Sequence, residues 1–117
     1  MATKLRVYLD TTVVSAAEDP LARERRARLL ARADAISVVT TTADMHALAQ
    51  DYVRQGIIPA AYEDDAMHIA AAVLSGQDIL ASWNFRHMVN RRRRAMVNLL
   101  NSSRGLRTIE ILSPPEL

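Results

Sequence analysis

Three residues have the types and the placing suited to holding a hard cation: Asp10, Asp65 and Asn84. Asp10 closes the segment KLRVYLD at 4–10, and Asn84 directly follows DILASW at 78–83. Both segments read as buried strands. In a parallel α/β sheet, ligands collect outside the carboxyl ends of the strands, so both residues are expected at that edge. Asp65 falls about two turns into the helix that feeds the second strand. Ions such as Mg²⁺ take carboxylate oxygens and keep several waters, so a few converging acids make a site. An ion held there activates water and offsets charge on a phosphodiester.

Each of these residues also has an ordinary structural use. Asp10 suits the cap of the turn after it, Asn84 the N-cap of the next helix. Glu63, Asp64 and Asp65 complement the dipole at a helix N-terminus. His68 shares a helix face with Asp65, three residues away, and suits hydrogen-bonded packing as well as ligation; His87 is equally open. Trp83 adds bulk to an aromatic-poor core, with base stacking as its other use. No GxGxxG, P-loop, GxSxG or HExxH occurs, so nucleotide cofactors and the common hydrolase designs have no support.

The elements that must position these side chains alternate along the chain. After Asp10, Thr11 and Thr12 offer capping hydroxyls. From Pro20, with Asp19 as cap, Leu21, Ala22, Leu29, Leu30 and Ala33 recur at helical spacing. ISVVT at 36–40 reads as a strand, and Thr41 with Asp44 as a capping box for a helix from about Ala43 to Gln55, ended by Gly56. Pro59 opens the next helix, AAYEDDAMHIAAAVLS, with Ala66, Ile69, Ala70, Val73 and Leu74 on one side and Gly76 at its close. After Asn84 comes FRHMVNRRRRAMVNLLNSS, striped by Val89, Met96, Val97 and Leu100 and stopped at Gly105; RTIEIL at 107–112 is a last strand. Strands alternating with helices predict a parallel sheet with helices on its faces.

Composition sets the bounds. The 117 residues suit one domain with one core, expected to span 1–117. Aromatics make up 4% of the chain, so that core must be built from Ala, Val, Ile, Leu and Met. There is no cysteine, which excludes disulfides and thiolate metal sites and fits a reducing compartment, with cytoplasm the expected location. No window approaches the ~20 apolar residues of a membrane span, and no charged leader precedes a long apolar stretch. The expectation is a soluble chain with no membrane partner. The formal charge of +2 says little, but basic residues crowd at Arg23–Arg32 and Arg91–Arg94 and acids at Glu18–Asp19 and Glu63–Asp65. Such runs read first as solvated helix faces, with a phosphate-binding patch as the alternative.

Three blocks together carry a resemblance: VYLDTT at 7–12, LAQDYVRQGIIPAAYEDDAMHIAAAV at 48–73 and ILASWNFRHMVN at 79–90. DAMHIA and SWNFRHMVN are the specific parts, and the tail LSPPEL at 112–117 agrees. The chain resembles the PIN-like domains of bacterial toxin and orphan loci. The resemblance implies an α/β, PIN-like three-layer fold with a short parallel sheet. It also implies Mg²⁺- or Mn²⁺-dependent cleavage of RNA, often by a toxin paired with an antitoxin protein. Carried over residue by residue, Asp10 and Asp65 match the family's metal-binding acids, and Asn84 more weakly matches the residue after its fourth strand.

This sequence departs from the family between VYLDTTVVS and EDPLARERRARLL, which are nearly fused. Relatives carry a helical region, a strand and an acidic helix there, so on the order of 30 residues, one strand–helix unit, are missing. Where the family's helical Glu belongs, four residues before EDP, stands Val14. Glu18 or Asp19 would replace it only if the joint folds close to Asp10. Two readings follow: a ribonuclease in which Asp10 and Asp65 hold the ion, Asn84 orients water or phosphate and arginines guide RNA, or a weak or inactive derivative kept as a nucleic-acid-binding, protein-binding or oligomerising module. Loss of a strand and its covering helices predicts a homodimer in which each copy covers the other's gap, domain exchange through 11–19 being one route.

Overall fold

A computed structural model of the chain describes residues 5–9, 40–83, 89–113 and 115. The helix expected at 20–33, all but the last residue of the strand at 36–40, and Asp10, Val14, Glu18, Asp19, Asn84 and His87 lie outside the described residues. Those described form a mixed α/β unit. In chain order they are β1 (Val7–Leu9), α1 (Ala43–Arg54), a 3₁₀ turn (Ala60–Tyr62), α2 (Glu63–Leu74), β2 (Ile79–Ala81), α3 (Arg91–Ser103) and β3 (Glu110–Leu112).

The three strands are parallel in the order β1-β2-β3. Tyr8 pairs with Leu80, and Leu80 with Ile111. β2 has a neighbour on each side and all three of its residues are buried, which explains its unbroken apolar run. In β3, Glu110 is exposed and Ile111 buried. The amino end of the sheet is locked by Asp78. Its carboxylate accepts the Arg6 N–H at 2.8 Å and an Arg107 guanidinium N–H at 2.9 Å. The Arg6 carbonyl in turn accepts from the backbone N–H of Asp78 and Ile79.

α2 is the central helix. Ala66, Ile69, Ala70, Ala71, Ala72 and Val73 are all buried, so it is covered on more than one side, and its alanines allow close approach of α1, its most extensive partner. From α1 come Met45, Leu48, Ala49 and Tyr52, joined in the core by Ile57 and Ile58 from the connection. α2 stops at Ser75, and Gly76 takes φ 77°, a left-handed conformation that side chains resist. α3 adds Val97 and Asn101, both fully buried. The Tyr52 hydroxyl donates to Asn101 Oδ1 at 2.6 Å, and Arg104 to Asp51 at 2.6 Å, tying the ends of α1 and α3 together.

Several boundaries differ from the sequence expectation. The cap of α1 is Thr42, whose hydroxyl accepts from the Met45 N–H, rather than Thr41. The stretch after Pro59 starts as a 3₁₀ turn, so Asp65 sits in the first turn of α2 and not two turns in. α3 begins only at Arg91: Asn90, with φ −54° and ψ 130°, is its cap, and Val89 packs in the core ahead of the helix. Among the described residues no helix is long and apolar enough to cross a membrane.

Candidate functional site

The direction of α2 over the sheet decides where Asp65 lies. At the helix C-terminus, Gly76 sits against Arg6: a Cβ built there would come within 3.5 Å of the Arg6 guanidinium. Farther back along α2, His68 Nδ1 and the Tyr8 hydroxyl are 2.9 Å apart, and the two rings meet edge to face at 5.8 Å between centroids. Moving back along the helix thus moves forward along β1. One turn before His68 on the same face comes Asp65, toward the carboxyl end of the sheet.

Burial separates the three acids of this turn. Glu63 and Asp64 are exposed, as expected for residues that only complement the helix dipole. Asp65 is half-buried. His68 is likewise half-buried and has Tyr8 as its partner. Tyr8 was not legible as a site neighbour, because within VYL it passes for strand filling. Its position two residues before Asp10 was the available signal, since alternate strand residues share a face.

α3 also points its N-terminus to the carboxyl edge. Arg94 donates to the Ile111 carbonyl at 3.2 Å and Asn98, one turn on, to the Ile109 carbonyl at 2.9 Å, so α3 runs antiparallel to β3. Asn90 Oδ1 caps the helix by accepting from the N–H groups of Arg92 and Arg93 at 2.9 and 3.3 Å. Arg91 and Arg92 are exposed; Arg93 and Arg94 are half-buried, and Arg93 Nη1 is buried with no hydrogen-bond partner among the described residues. Four cations in a first turn oppose the helix dipole, which favours anions there. Trp83, half-buried, follows β2 at the same edge.

Of the three residues picked out from sequence, only Asp65 lies among the described residues; Asp10 and Asn84 do not. Among the described residues, no three His, Asp or Glu side chains form a metal-binding group. No family model, no curated protein and no solved structure matches the chain.

Proposed function

We propose that this chain is a PIN-like domain that binds RNA at the carboxyl edge of its sheet. On this reading it derives from a Mg²⁺- or Mn²⁺-dependent ribonuclease and keeps an incomplete acidic site with weak or no activity. The observation that carries the reading is the hydrogen bond between Tyr8 and His68, which sets the face of α2 bearing Asp65 against β1 just before Asp10. Three residues back along a helix advance about 4.5 Å and two residues along a strand about 6.6 Å, in the same direction here. A strand continued to position 10 would then bring Asp10 level with Asp65, on the face that Tyr8 uses.

The proposed donor set is all oxygen, from the carboxylates of Asp10 and Asp65, which suits a hard cation. Bound there, such an ion would supply charge to offset a phosphodiester and to activate water. Asp65 and Asp10 hold it in this reading, and Asn84 orients water or a phosphate oxygen. The arginines of α3 receive the RNA backbone: an anionic partner reverses the unfavourable sign of four cations at a helix N-terminus. Val14 in place of the family's Glu leaves too few carboxylates for efficient turnover.

The alternative, a module that binds RNA or a protein such as an antitoxin without cutting, shares the same arginine edge. A cleavage assay on single-stranded RNA with Mg²⁺ and Mn²⁺ tests whether the acidic site is incomplete. Little or no cleavage is expected; efficient turnover abolished by Asp10→Asn would show instead that the acidic site is complete, with Glu18 or Asp19 supplying the missing ligand.

A further inference from the structure

α3 has a buried face and an exposed one, and Arg93 begins the buried face. Arg93, Val97 and Asn101 are spaced i, i+4, so they lie one above the other on the helix. Val97 and Asn101 are fully buried, and Val89 is buried just ahead of the helix. The exposed line runs through Arg92, Ala95 and Leu99. Arg93 is half-buried, and its Nη1 is buried with no hydrogen-bond partner among the described residues. Other arginines have theirs: Arg54 and Arg104 share Asp51, Arg107 pairs with Asp78, and Arg94 donates to the Ile111 carbonyl. No ion pair among the described residues includes Arg93. Its neighbours Arg91, Arg92 and Arg94 carry its own sign, and its backbone N–H already serves the Asn90 cap.

We propose that the Arg93 guanidinium binds one backbone phosphate of RNA at the carboxyl edge of the sheet, while the exposed Arg91 and Arg92 contribute only their long-range attraction. A buried charge without a partner is costly, and an arginine, unlike a lysine, keeps its charge in a dry site. An anion therefore completes this side chain. A phosphate suits it, because the guanidinium fork presents parallel N–H donors to two phosphate oxygens. α2 begins at the same edge with Glu63, Asp64 and Asp65, so a polyanion is repelled from the α2 side and drawn to the α3 side. The inference rests on the RNA reading for the source of the phosphate. It does not rest on the metal site, since this contact needs no divalent ion.

Binding of a single-stranded RNA oligonucleotide in the presence of a chelator, with the urea midpoint measured alongside, tests it. Arg93→Met should weaken binding by about tenfold or more, the equivalent of one charge-assisted hydrogen bond. Arg93→Lys, which keeps the charge but loses the fork, should recover little of that. Arg92→Met, on the exposed line, should cost less than about fivefold. Without RNA, Arg93→Met should raise the urea midpoint, because an apolar side chain replaces an unpaired, partly buried charge. A lowered midpoint, or failure to fold, would mean that Arg93 supports the fold and would overturn the proposal. Equal losses in Arg92→Met and Arg93→Met would overturn Arg93 as the phosphate residue and leave the RNA reading standing. A wild-type chain that binds no RNA would end that reading instead. Titration with inorganic phosphate, followed at the Arg93 side-chain N–H signal by NMR, then decides the site: a saturable shift absent with chloride supports it, and no shift overturns it.

Discussion

Among single residues, Tyr8 and Tyr52 do different work. Tyr8 joins β1 to His68, so Tyr8→Phe should cost about 1 kcal/mol of stability by loss of a partly buried hydrogen bond, read as a lower urea midpoint. If that bond sets the site, the variant should also bind Mn²⁺ more weakly than the stability loss explains. Tyr52 is buried, and desolvation raises its hydroxyl above the ordinary tyrosine range, against a smaller lowering by Asn101. Below the ordinary value of about 10, neither the folded nor the unfolded chain loses this proton. Above it the unfolded chain ionises first, so stability falls as pH climbs. Tyr52→Phe should flatten the fall in urea midpoint between about pH 9 and 11. It should also destabilise the chain at neutral pH by about 1–3 kcal/mol, because Asn101 loses its donor in a buried site. Neither partnership was legible in the sequence: Asn101 lies one position past Leu100 on a stripe that reads as apolar, and nothing local marks a residue 49 positions away as its partner.

The elements themselves were more readable, because periodicity and end signals are local. The buried face of α2, Ala66, Ile69, Ala70 and Val73, follows from spacing alone, and Gly76 marks its end. What failed were starts. Threonine stands at 40, 41 and 42, so the capping hydroxyl could not be chosen without knowing which backbone N–H it meets. The run from Phe85 reads as helical past Asn90, yet Val89 is buried in the core ahead of the helix, which starts from the Asn90 cap. Asp78 looks like an ordinary strand-start acid but locks the sheet's amino end. Its ion pair with Arg107 is partly exposed and contributes little by itself. The Arg6 N–H is what loses an acceptor, so Asp78→Ala should cost about 1–2 kcal/mol. It should also speed amide exchange at Arg6 more than at Ile109. Equal effects at both sites would mean that Asp78 acts through general stability and not through the β1–β2 register.

At the scale of the whole molecule, the parallel order β1-β2-β3 bears out the mixed α/β expectation, and short strands under alanine-rich helices fit a core poor in aromatics. Of the proposed site, the sequence placed Asp65 on a helix and made His68 its neighbour, while long-range geometry alone shows that this face meets Tyr8. The strand–helix unit whose loss the family resemblance implies motivates the homodimer proposal, for which light scattering at micromolar concentration should give twice the 13.0 kDa chain mass. A monomer there would mean the chain hides its own apolar surface. The central claim is that Asp10 and Asp65 share one cation at the carboxyl edge of the sheet. Mn²⁺ titration of the isotope-labelled protein, followed by paramagnetic broadening of backbone amide signals, addresses it without any RNA. Saturable broadening should centre on residues around Asp10 and Asp65, include Trp83, and disappear in both Asp10→Asn and Asp65→Asn. Broadening that spares these residues, gathers at Asp51 or Asp78, or survives either substitution unchanged would contradict the claim.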